Sequence, residues 1–235
     1  MLRVPRLGAE RRNGRLPAGL ITLHAPRSPV AEAYRTLRTN IQFSSLDTEL
    51  RTLLVTSAGP SEGKSTTLAN LAVVMAESGS RVLAVDCDLR RSSLHLLFGL
   101  DNTRGLTNVI LEEGTGPLPL QDTTVPNLQV LTSGPLPPNP SELLASRRMA
   151  RVLELLREAA EMVLLDAPPV VAVTDAAILA SRVDGVLLVL EAGTTRRDLA
   201  RRARAQLEKV NARVLGVVLN NVPFDAQVYR YYAQR

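Results

Sequence analysis

Six short, almost wholly apolar runs recur along the chain, at residues 53–56, 82–85, 128–131, 162–165, 186–190 and 214–219. They are continuous rather than alternating, the pattern of strands covered on both faces and therefore of a largely parallel sheet. Stretches of helical periodicity lie between most of them, at 64–77, 141–160, 174–181 and 195–210. This alternation predicts a doubly wound α/β domain with its ligand site beyond the C-terminal ends of the strands. Aromatic residues make up only 3% of the 235 residues, so the core must come from Leu, Val, Ile and Ala. The length suits one such domain with short appendages.

The ends divide off by composition. Residues 1–28 are rich in Arg, Gly and Pro and read as a mobile basic arm. Residues 29–43 read as a helix, with Val30, Ala33, Tyr34, Leu37 and Ile41 at helical spacing, Pro29 in the first turn and Ser28 as cap. The main domain then extends to residue 222, and 223–235 form a polar tail. No apolar run reaches the roughly 18 residues needed to cross a bilayer. The basic N-terminus lacks the apolar segment of a secretory signal, which predicts a cytoplasmic protein. The net charge of +5 is almost all arginine, without the zinc-ligand spacing or basic–aromatic interleaving of nucleic-acid binders. The single cysteine, Cys87, excludes an intrachain disulfide and reads as a buried thiol.

The phosphate-binding signal follows the first predicted strand: Ser57, Ala58, Gly59, Pro60, Ser61, Glu62, Gly63, Lys64, Ser65, Thr66, opening directly into a helix. Small residues let the backbone curl so that consecutive N–H groups face one point, and the helix adds its positive end. Lys64 can then reach terminal phosphates, and Ser65 can hold Mg²⁺. Ala58 stands where such loops usually begin with glycine. Two further strands end in acids. The run 82–85 delivers Asp86, Cys87, Asp88, Leu89 and Arg90; the run 162–165 delivers Asp166 ahead of two prolines. Asp86 and Asp88 lie two residues apart and so point the same way in an extended chain. Acids placed so close call for a cation, although capping of the next segment is a competing role. Arg90 reads as a nucleotide contact or as a partner for one of these acids.

These motifs together resemble the bacterial tyrosine kinases of capsule and exopolysaccharide systems. The resemblance extends to Ser133–Leu144 and to the helix bearing Glu32, Arg35 and Arg38. It implies a P-loop fold of the deviant-Walker, MinD/ParA-like group and a Mg-ATP-dependent protein-tyrosine kinase. Lys64 would bind phosphate, Asp86 and Asp166 would organise Mg²⁺, and Asp88 would orient the attacking phenol, with Asp86 and Asp88 able to exchange roles. Glu32, Arg35 and Arg38 would contact a neighbouring subunit in a ring-like homo-oligomer. Asn220 or Asn221, at the end of the last strand, reads the adenine edge, with Asn220 the chosen candidate. Three of the four tyrosines, Tyr229, Tyr231 and Tyr232, crowd the last seven residues and are the candidate phosphoacceptors. A membrane-bound activator of the polysaccharide co-polymerase type would recruit the chain to the inner face of the membrane, and other tyrosine-containing proteins are possible substrates. Two other readings share part of the pattern. A MinD/ParA-type positioning ATPase normally has a further lysine where this loop has Gly59. A nucleotide-sensing regulatory module would keep the fold without essential kinase activity.

Overall fold

The computed structural model describes residues 2–5, 19–44, 49–112 and 116–223; Tyr229, Tyr231 and Tyr232 lie outside them. Eight strands form one sheet in the order β1-β8-β7-β2-β6-β3-β5-β4. They are β1 (Leu2–Pro5), β2 (Thr52–Ser57), β3 (Val82–Asp86), β4 (Gln121–Asp122), β5 (Leu128–Leu131), β6 (Met162–Asp166), β7 (Gly185–Glu191) and β8 (Val214–Val222). All pairs are parallel except β4 with β5. The central strand β2 is buried along its whole length, which is why its sequence reads as an unbroken apolar run.

Alternate residues of each strand feed two cores. On one face Leu53, Val55, Ala84 and Leu164 pack with α2 (Pro29–Ser44), α3 (Lys64–Glu77) and α4 (Leu94–Phe98). On the other, Leu54, Val85, Leu165 and Leu188 pack with α5 (Leu106–Leu111), α6 (Pro140–Ala145), α7 (Arg147–Ala159), α8 (Asp175–Ala180) and α9 (Arg197–Lys209). Each fully buried Leu or Val contributes about 1.5–3 kcal/mol, so aliphatic residues stabilise both layers without many aromatics.

Three elements differ from the sequence expectation. The 1–28 segment is not structureless throughout: Leu2–Pro5 pairs with β8, and α1 (Ile21–His24) docks on α3. Asn70 of α3 secures α1 by accepting from the Thr22 N–H at 3.0 Å and donating to the Gly19 carbonyl at 2.6 Å. The single helix expected over 141–160 is two. Ser146 is extended (φ −62°, ψ 159°), and its Oγ accepts the Met149 N–H at 3.1 Å, so it ends α6 and caps α7. The loop expected after residue 115 carries the short strand β4. The helix expected over 29–43 is present as α2, with Ser28 Oγ accepting the Ala31 N–H at 3.2 Å.

Candidate active site

The phosphate loop links β2 to α3. Ser61 (φ 61°) and Gly63 (φ 85°) both take left-handed conformations, which turn the chain back on itself ahead of the helix. Gly63 has no substitute: a Cβ there would lie 2.1 Å from Asn220 Nδ2. That amide donates to the Glu62 carbonyl at 3.1 Å, so Asn220 braces the loop from β8. Glu62 is itself a strut. Its buried carboxylate accepts the Ala58 N–H at 2.9 Å and the Thr195 hydroxyl at 2.6 Å. Turned inward in this way, it does not oppose phosphate charge. Ala58 is buried in the core, and Ala58, Gly59 and Glu62 form the back of the loop, whereas Pro60, Ser61, Gly63, Lys64, Ser65 and Thr66 line an open cavity of about 470 Å³.

The carboxylates converge on Lys64. Parallel pairing sets Asp86 of β3 beside Asp166 of β6. Lys64 Nζ lies 2.9 Å from Asp88 Oδ2 and 3.2 Å from both Asp166 oxygens, and Ser65 Oγ donates to Asp166 at 2.5 Å. Burial alone would lower the Lys64 pKa, but Asp166 and Asp88 outweigh it and hold the ammonium charged, above its ordinary value. Burial raises the Asp166 pKa, against the lowering effect of Lys64. Burial, followed by the Asp166 charge, pushes Asp86 up to about 7.

Asp86 combines two roles that the sequence posed as alternatives. Its Oδ2 accepts the Ser93 and Leu94 N–H groups, both at 2.9 Å, and so caps α4, while the same carboxylate sits beside Asp166. Because its folded pKa is raised, its protonated form favours the folded apo protein. That contribution is complete below the ordinary carboxylate range and is lost as pH rises through about 7. Asp86→Asn keeps the capping oxygen and removes the titration. The apo Tm of the variant should therefore fall less steeply between about pH 5 and pH 8 than that of the wild type; parallel thermal-melt profiles would exclude Asp86 as the source.

This donor set fits Mg²⁺ bound with a nucleotide. Among the described residues no group of three or more His, Cys, Asp or Glu side chains forms a self-sufficient metal cage. Mg²⁺ needs none, since it is commonly held by one or two carboxylates together with substrate phosphates. Ser65, Asp86 and Asp166 would hold it, and two acids with raised pKa values beside a phosphate loop are groups that a cation would relieve.

Other expected residues fall elsewhere. Arg90 does not line the cavity or pair with the strand-end acids. Its guanidinium binds the buried Asp175 at the start of α8 (2.8 and 3.2 Å) and Ser141 Oγ (2.8 Å), tying the loop after β3 to the opposite helical layer. Arg91, not singled out from the sequence, lines the cavity instead. Cys87 is buried, and burial pushes its thiol pKa well up, so it stays unreactive. On α2, Arg35 pairs with Glu32 at 3.1 Å, and one terminal nitrogen of Arg38 donates to the Val74 carbonyl of α3 at 3.0 Å. Sequence reasoning also missed Thr195 and Asp175. Each acts on a residue distant in sequence, and no local pattern marks it.

The chain matches the CobQ/CobB/MinD/ParA nucleotide-binding domain over residues 53–234. It is 42% identical over 225 residues to the tyrosine-protein kinase YwqD of Bacillus subtilis (strain 168), covering 95% of each chain. The chain belongs to the bacterial tyrosine kinases. Its structure superposes on the kinase domain of Escherichia coli tyrosine kinase ETK with a TM-score of 0.86 and 33% identity, over 96% of this chain and 91% of that one. MinD of Pyrococcus horikoshii, at 24% identity and a TM-score of 0.62 over 77% of this chain and 76% of that one, shares the fold. Among the described residues no helix is long and apolar enough to cross a membrane.

Proposed function

We propose that the chain binds Mg-ATP in the cavity above the phosphate loop and transfers the γ-phosphate to tyrosines of the tail of a second copy, Tyr229, Tyr231 and Tyr232. The observation that carries this reading is the placement of Asp88 against Lys64, 2.9 Å apart at the cavity floor beside the loop. An acid at that point serves no purpose in holding phosphate; it suits the proton of an incoming hydroxyl. Lys64 balances charge on the terminal phosphates. Asp88 orients the phenol and takes its proton as the phenolic oxygen bonds to phosphorus and the bond to the β-phosphate oxygen breaks, releasing ADP. Bound Mg²⁺ supplies further charge compensation on the phosphate oxygens. Asn220, with its amide nitrogen committed to Glu62, offers its oxygen to the adenine amino edge.

In this reading the kinase works in the cytoplasm within capsular or exopolysaccharide synthesis. It assembles as a ring through the α2 residues Glu32, Arg35 and Arg38 and is recruited to the membrane by an activator of the co-polymerase type. Other tyrosine-containing proteins are further substrates. The test is intact-mass analysis after incubation with Mg-ATP, beside a variant with the three tail tyrosines changed to Phe. Mass gain in steps of one phosphate, absent from the variant, is the expected result. Equal gain in both proteins would place the acceptors elsewhere.

A further inference from the structure

α4 has only five residues, yet it is anchored at both ends. Leu94 and Phe98 are buried in the core, the Asp86 carboxylate caps its first turn, and Gly99 ends it at φ 68°. Of the three residues between these anchors, Leu96 and Leu97 have a different environment. Leu96 is 62% exposed, and both Leu96 and Leu97 line the cavity that contains Lys64 and Asp88. Leu97 is backed by Gly19, where a Cβ would lie 2.6 Å from its methyl group. A lone exposed leucine needs no explanation. Two leucines on a braced helix, on the wall of the cavity that holds the phosphate loop, do need one, because neither phosphate nor Mg²⁺ gains from an apolar wall and the adenine edge is assigned to Asn220, outside that lining.

Resting on the kinase reading above, we propose that Leu96 and Leu97 form the acceptor subsite, where the ring of the incoming tyrosine lies with its hydroxyl directed to Asp88. The floor is deep: the Lys64 and Asp88 side chains are only 12% and 5% exposed. A serine hydroxyl, one bond from Cβ, cannot reach that floor without bringing the peptide backbone into the cavity. A phenol reaches it across the length of its ring, and the ring is the part that an apolar wall rewards. Selectivity for tyrosine then follows from depth together with the wall, with Asp86 fixing the wall to the metal side of the site through its cap on α4.

The test uses the full chain with Mg-ATP and a synthetic peptide containing one tyrosine. Leu96→Ser is decisive, because an exposed side chain can be removed without emptying the core. The KM for the peptide should rise about tenfold, with kcat and Mg-ATP affinity changed less than about twofold, and Leu96→Met should restore the wild-type KM. An unchanged KM in Leu96→Ser, with the wild type active, overturns the subsite and leaves the kinase reading standing. Wild-type protein that binds Mg-ATP but labels no tyrosine with the co-polymerase-type activator present overturns that reading and the subsite with it.

Discussion

Changing Lys64 to Met should abolish tail phosphorylation, lowering the single-turnover rate by about a thousand-fold or more, the scale on which removing a preorganised charge from a transferring phosphoryl group is felt. The same change should alter stability in a way that depends on pH. Lys64 is the cation between Asp88 and Asp166, with Asp86 beside them. Removing one partner of a buried pair costs about 3–5 kcal/mol when the charge left behind stays ionised. Here Asp86 and Asp166 can escape by taking up protons, since burial already raises their pKa values. Without the ammonium these values rise further above those of the unfolded chain, so protonation stabilises the fold at low pH and the benefit fades as pH rises. The Tm deficit of the apo variant should therefore be small near pH 5 and large near pH 8. Undiminished labelling would remove Lys64 from phosphate binding, and a deficit independent of pH would refute the cluster as its cause.

The parts of this site that could be read in the sequence are those in which chemistry and chain order coincide. Ser57–Thr66 and the acids at 86, 88 and 166 each sit at the end of an apolar run, and a parallel sheet necessarily gathers those ends at one edge. What could not be read depends on contacts across the chain. Glu62 looks like a ligand in a phosphate loop until Thr195, distant in sequence, is found to hold its carboxylate. Arg90 looks like a nucleotide contact beside two acids, but it turns to Asp175, 85 residues away. β1 is four residues long and exists only by pairing with β8 at the other end of the chain. α4 is too short for periodicity to reveal and depends on a cap supplied by Asp86. The division of 141–160 was legible in principle, since Ser146 precedes the helical run of α7 as a capping residue does, but continuous helical spacing on both sides concealed it.

Asp88→Asn should separate the binding of ATP from its use. Asparagine keeps the size of the side chain and an oxygen able to accept the Arg91 N–H, which Asp88 Oδ1 receives at 3.0 Å, so the loop after β3 should hold its course. Lys64 retains Asp166 as a partner at 3.2 Å, and Ser65, Asp86 and Asp166 remain in place for the metal. Nucleotide affinity and the Mg²⁺ concentration required should therefore stay within about twofold of the wild type. The phenol, however, loses the carboxylate that, among the described residues, lines the cavity. Positioned bases contribute about 10²- to 10⁴-fold, and labelling of the tail should fall by a factor in that range. Asp166→Asn provides the contrast: it removes an acid from the Ser65 side, so its defect should appear first as a higher Mg²⁺ requirement and should be partly recovered at saturating metal. If instead Asp88→Asn shows the metal-dependent defect and Asp86→Asn shows the loss of rate at unchanged Mg²⁺ affinity, the two acids exchange roles. Asp86 would then serve as orienting acid as well as cap of α4, joining the attacking group directly to the acceptor wall.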